Sequence, residues 1–479
     1  MKALLPLLLA APLLAGPAGA PDMRRPPALG EPRPFTAPPR TRWTLPNGLN
    51  AVYVESPRAP LTTLRLAVKG GSALGGERDA GLVSAMAELL AEGTQTRGAL
   101  ELTEAAEAAG GSVGAYATPD HTVVWAEGLA GKADELLALL RETALTPAFP
   151  EAEVALRKEN MLSELKLRRS EPSWLAGAAL GRLLYGAHPY GVPGPTEASI
   201  GRIEREALLR LHRKLFSPSG AVLVAVGPHP AKEFRAKADP VFADWAALPD
   251  LPTPPPAAPA PRTAPALSFV ERPGLNQSVV AAALRAPKED EPGYEALLVA
   301  NMVYGGSYGA RLNNDLREDK GWTYGVYSNL DRRLSVGTFR VQGQFRADVT
   351  RKALDALRAH LKRLLAAPPT ADELTRAKAN LATDRLLSFE TQGGIADRVL
   401  HDALFGLPDD HLDRVVGRIQ AVTAQEALAA ARRWLSYENI AVAVVGDPGV
   451  LKSLEGFAPV TVVGPDGLPL PPARTPQRP

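Results

Sequence analysis

Leu102-Thr-Glu-Ala-Ala-Glu-Ala-Ala-Gly-Gly111 stands 210 positions before Leu312-Asn-Asn-Asp-Leu-Arg-Glu-Asp-Lys-Gly321, and each run leads into a strand-like stretch that carries aromatic residues. Outward from this pair, Ala221-Val-Leu-Val-Ala-Val-Gly-Pro228 has its counterpart in Ile440-Ala-Val-Ala-Val-Val-Gly-Asp-Pro448, and Gly201-Arg202-Ile203 in Gly417-Arg418-Ile419. Repetition over such a length means duplicated domains, because solenoid repeats are far shorter. Pro-rich tracts set the boundaries: an extended arm over residues 21–40, a semi-rigid Pro/Ala linker over 249–265, and a disordered tail over 465–479. The copies are therefore expected at 41–248 and 266–464.

Within the first copy, Asn47-Gly48 supplies the turn of a hairpin over Trp43–Glu55, and Leu61–Val68 reads as the next strand. The spacing predicts apolar helices over Ala80–Glu92, closed by Gly93, and over Leu100–Ala109. A further strand is expected over Thr118–Gly128, then long helices over Lys132–Leu145 and Pro150–Arg169. Strands grouped apart from helices give an α+β fold, with helices covering one face of a mainly antiparallel sheet in each copy.

The balance of 54 basic against 52 acidic residues leaves a net charge of +2, so no charge field directs the chain to nucleic acid. With no Cys there are no disulfides, thiolate metal sites or cysteine nucleophiles. Lys2, the apolar run Ala3–Leu14 and Ala18-Gly19-Ala20 outline a signal peptide over 1–20. The protein is thus expected to be exported, periplasmic or extracellular, with no membrane span after signal removal. None of the seven His forms an i, i+4 pair, which excludes a two-His metal site on one helix. Gly110-Gly-Ser112-Val-Gly114 and Gly305-Gly-Ser307-Tyr-Gly309 fit G-x-S-x-G, but neither Ser lies on the strand-to-helix turn that a hydrolase elbow requires.

Chemistry concentrates in three further stretches. Gly81-Leu-Val-Ser84-Ala-Met-Ala87-Glu88-Leu-Leu-Ala-Glu-Gly93-Thr94 is one, and Glu159-Asn-Met-Leu-Ser-Glu164-Leu is the second. The third is Leu316-Arg317-Glu-Asp-Lys-Gly321-Trp-Thr-Tyr324. With Leu45-Pro-Asn-Gly-Leu49 and Gly186-Ala-His188-Pro-Tyr190-Gly191, these runs resemble the pitrilysin/insulinase (inverzincin) metallopeptidases, in particular the bacterial and mitochondrial-processing branch whose two-domain subunits pair. That family carries H-x-x-E-H on its zinc helix, where two His bind zinc and Glu activates water. Here the resemblance places Ser84 and Glu88 at the His positions and Ala87 at the general base. A third ligand is expected 76 residues beyond the second, and Glu164 stands there, while Arg157 replaces the Glu that usually precedes it by seven positions. Ser84, Glu88 and Glu164 form a poor zinc donor set.

The third stretch matches the family's Arg/Tyr substrate motif, with Arg317 and Tyr324 seven apart. The resemblance thus implies a non-catalytic, substrate-binding subunit of a heterodimeric zinc endopeptidase, within a dimer or a dimer of dimers. This clam-shell half would hold no metal of its own. A partner subunit would carry the zinc, and Arg317 and Tyr324 would complete the partner's active site on peptide or unfolded-protein substrates. The alternative is a catalytically silent structural or peptide-binding relative, possibly a homodimer.

Overall fold

Strands buried along both faces decide the layering. Leu61–Lys69 and Ala441–Gly446 are buried at nearly every position instead of at alternate ones, so each sheet is covered on both sides. The computed structural model describes residues 35–250 and 256–470. The first sheet holds β1 (Arg40–Thr44), β2 (Asn50–Glu55), β3 (Leu61–Lys69), β4 (Ser112–Ala117), β5 (His121–Leu129) and β6 (Ala221–Gly227), in the order β1-β2-β6-β3-β5-β4. The second holds β7 (Ala266–Glu271), β8 (Gln277–Ala286), β9 (Thr323–Arg332), β10 (Gly337–Arg346), β11 (Ala441–Gly446) and β12 (Val460–Val462), in the order β12-β7-β11-β8-β10-β9. Every neighbouring pair is antiparallel except β2/β6, β7/β11 and β7/β12. Five strands of each copy occupy equivalent places, and the 210-residue repeat leads in both cases into the edge strand, β4 or β9.

Helices of the first copy begin with α1 (Leu82–Leu89), α2 (Ala99–Ala108), α3 (Ala133–Leu145), α4 (Glu151–Arg168) and α5 (Pro172–Tyr185). α1 and α3 cover one face of the first sheet, meeting Leu64, Leu66, Val124 and Ala126. The expectation of a single covered face needs correction at this point. The opposite face, with Val52, Val54, Val224 and Val226, packs against Ile395, Ala396, Val399 and Leu400 of the second copy's helix Gln392–Phe405. In return, Leu175, Ala176, Ala179 and Leu180 of α5 pack on Val279, Ala281, Ala443 and Val445 of the second sheet. Alanines at 281, 283, 441 and 443 leave room for α5 to lie close to the strands. Each copy thus lends one helix to complete the other's core.

Several boundaries move for local reasons. The helix expected over Ala80–Glu92 spans only Leu82–Leu89, because Gly81 enters at φ 92° and the bonds Leu90 N–Ala87 O and Glu92 N–Leu89 O tighten its end. The strand expected from Thr118 starts at His121. Thr118 Oγ1 accepts from the amides of Asp120 and His121 and folds residues 118–120 into a turn. Of the Pro-rich arm, the described residues are not without a core: Ala37 is buried, and Phe35 lies 4.8 Å from Phe389 between ring centres. The described start of the tail is an ordered turn, with Gly464 N bonded to Leu468 O at 2.8 Å. The expected signal peptide, residues 21–34, residues 251–255 of the linker and residues 471–479 lie outside the described residues.

Candidate functional site

Gly81 turns the chain into α1 so that Ser84 and Glu88, one helical turn apart, face α4, while Ala87 is fully buried. On α4, Arg157 and Glu164 are seven residues apart and share a face. The two helices meet through charge. Arg157 Nη2 lies 2.7 Å from Glu88 Oε2, and Nη1 lies 2.7 Å from Glu164 Oε1. Arg168 is a more distant partner of Glu164 at 3.9 Å. These side chains line a cavity of about 390 Å³ that Ser84, Trp174 and Arg333 also border.

The two carboxyls respond oppositely to their surroundings. Burial pushes Glu88 up, with Arg157 opposing it, whereas the hydrogen bond from Arg157 holds Glu164 down. The residues present do not fit zinc. The donors are one hydroxyl and two carboxylates, and the guanidinium already bonded to both carboxylates stands where a cation would have to enter. Among the described residues, no group of three His, Asp or Glu side chains has the geometry to hold a metal ion.

Arg317 and Tyr324 sit elsewhere. Arg317 belongs to a wide, π-helical turn over Asn314–Asp319, a geometry that departs from the regular helix and recurs at functional sites. Its guanidinium stacks 4.4 Å over the Tyr308 ring and lies 3.2 Å from Glu318 Oε1, to which Tyr308 Oη also donates at 2.9 Å. Tyr324, on edge strand β9, is 89% exposed. Neither residue borders the cavity at Glu88 and Glu164, so within one chain the structure does not bring the two halves of the expected constellation together.

Sequence reasoning missed a polar clasp beside that cavity. Tyr190 Oη donates to Asp120 Oδ1 at 2.5 Å, Leu334 N donates to Asp120 Oδ2 at 3.1 Å, and Arg333 stacks 4.7 Å over the Tyr190 ring. Burial, helped by Asp120, pushes the Tyr190 phenol up. The run containing His188-Pro189-Tyr190 was visible in the sequence, but nothing local marked Asp120 or Arg333 as its partners. His188 is structural: Nδ1 accepts from Tyr190 N at 3.1 Å, which leaves Nε2–H to donate to Pro256 O of the linker at 2.8 Å.

His121, next to Asp120, carries a pH consequence. Burial lowers its ring from 6.5 to about 4. As pH falls through that window the unfolded chain takes up a proton that the folded chain refuses, so stability declines between about 6.5 and 4 and levels off below. Glu289, held at about 2 by His401 and Arg332 against the penalty of its burial, withdraws its contribution at lower pH, from 4.5 downward. Urea midpoints measured across pH 7 to 4 should therefore fall less steeply in His121→Gln than in the native chain; equal slopes would refute the assignment.

Residues 50–192 match the insulinase family (peptidase family M16), and residues 202–381 match the peptidase M16 inactive domain. An uncharacterized zinc protease of Mycobacterium tuberculosis is 27% identical over 443 residues, spanning 90% of this chain and 98% of its own length. One from Bacillus subtilis is 24% identical over 428 residues, spanning 86% and 99%. The crystal structure of a peptidase M16 inactive domain from Pseudomonas fluorescens superposes with a TM-score of 0.77 at 26% identity, covering 85% of this chain and 98% of that one. A protease from Helicobacter pylori shares the fold at 18% identity, with a TM-score of 0.79 and coverage of 85% and 99%. Fold and site together define a two-copy, pitrilysin-like α+β unit. The chain belongs to the insulinase family and lacks the H-x-x-E-H motif of its catalytic members.

Proposed function

We propose that this chain is the non-catalytic, substrate-binding subunit of an exported heterodimeric zinc metalloendopeptidase, and that zinc and the general base reside in a separate family member. The contrast between the two copies carries the reading. In the first, Ser84, Ala87 and Glu88 replace the zinc motif, and Arg157 ties Glu88 to Glu164. In the second, Tyr324 stands exposed on an edge strand, seven residues after Arg317. A guanidinium and a phenol are the donors that a developing oxyanion needs, worth far more in a closed chamber than in water. Since neither borders this chain's own cavity, they would act on a site presented by a facing chain.

One observation favours the alternative, a silent structural or peptide-binding relative: Arg317 is already engaged by Tyr308 and Glu318 of its own chain. Isolation of the native assembly from the exported fraction separates the two. The proposal expects a second family chain with intact H-x-x-E-H and bound zinc. A metal-free homodimer would establish the alternative instead, and recovery from the cytosol with residues 1–20 retained would contradict export.

A further inference from the structure

We infer that Arg157 has taken over the role of the metal as the cation that joins α1 to α4. The inference concerns this chain alone, so it stands or falls separately from the proposed partnership. A divalent ion in such a site would bridge donors on two helices, and the guanidinium makes the same connection. One terminal nitrogen meets Glu88 on α1 and the other meets Glu164 on α4, each at 2.7 Å. Nη2 also reaches the second oxygen of Glu164 at 3.3 Å, so the fork spans both carboxylates while the side chain itself is largely buried. Lysine, a single point charge, cannot present two separated donors to two carboxylates in this way. Without the guanidinium, the two carboxylates would border one cavity with only the more distant Arg168, 3.9 Å from Glu164, to offset their mutual repulsion. The same cation repels any second one, so the site excludes zinc by its charge as well as by its donors.

Thermal unfolding of the native chain, Arg157→Ala, Arg157→Lys and the triple variant Arg157→Ala/Glu88→Gln/Glu164→Gln tests this, with zinc content measured on the native chain. Arg157→Ala should lower Tm by about 1–2 °C, the shift per unit of lost stability being small in so large a cooperative unit. Arg157→Lys should fall between Arg157→Ala and the native chain, and the triple variant should regain at least half of the loss, since neutral amides need no cation. An Arg157→Ala variant that does not fold beside a triple variant that does also supports the inference. It is overturned if Arg157→Ala melts with the native chain, or if the triple variant is no more stable than the single one or fails to fold. Stoichiometric zinc on the native chain that Glu164→Gln removes would overturn it as well.

Discussion

Val399→Asp is expected to abolish stable folding, or to cost on the order of 4 kcal/mol, because it places an unpaired carboxylate in an apolar interface. Val399 is 1% exposed and packs with Val224 and Val226 on the outer face of the first sheet, although its helix belongs to the second copy. The mirror substitution Ala179→Asp, at a fully buried position of α5, should do the same to the second sheet. Because the helices are exchanged, either lesion removes the cover of the other copy's sheet, and both copies should unfold in one transition. Ala403→Asp, on the exposed side of the same helix, should stay within about 0.5 kcal/mol of the native chain. Urea unfolding followed by far-UV circular dichroism checks all three. Two separate transitions in Val399→Asp, with one copy left intact, would refute the reciprocal packing.

The second large effect concerns the proposed complex with a zinc-bearing family member. Removal of one oxyanion donor typically costs two to three orders of magnitude in turnover, so Arg317→Ala should lower kcat/KM of the complex by about 10²–10³-fold. Arg317→Lys keeps the charge without the fork and should recover only part of that. Tyr324→Phe deletes a single neutral donor and should cost about ten-fold, in line with about 1.4 kcal/mol for one hydrogen bond. Zinc content of the proposed complex should be unchanged in all three variants, because the proposal places the metal in the partner chain. Full activity in both Arg317→Ala and Tyr324→Phe would remove the shared-site account.

Local patterns made the hairpin at Asn47-Gly48, the strand β3 and the helices near 133–145 and 151–168 legible, because turn chemistry and apolar periodicity act within a few residues. The repeat that sets edge strands β4 and β9 in equivalent places was legible for the same reason. The exchange of α5 with the helix Gln392–Phe405 was not. Nothing in a local periodic pattern says which sheet a helix's apolar face will meet. At the site, the degenerate zinc positions came from the family resemblance, but the bridging role of Arg157 required α1 and α4 to be placed side by side. Asp120 gave no warning of its bond to Tyr190, since the partners are 70 residues apart and meet only when the sheet has formed.

The central claim is that this polypeptide binds what another one cleaves. It is tested most directly by purifying the chain alone and measuring its zinc content together with its hydrolysis of an unfolded-protein substrate. The account predicts far less than one zinc per chain and no turnover until a zinc-bearing family partner is added. One bound zinc per chain with unaided, chelator-sensitive hydrolysis would contradict it.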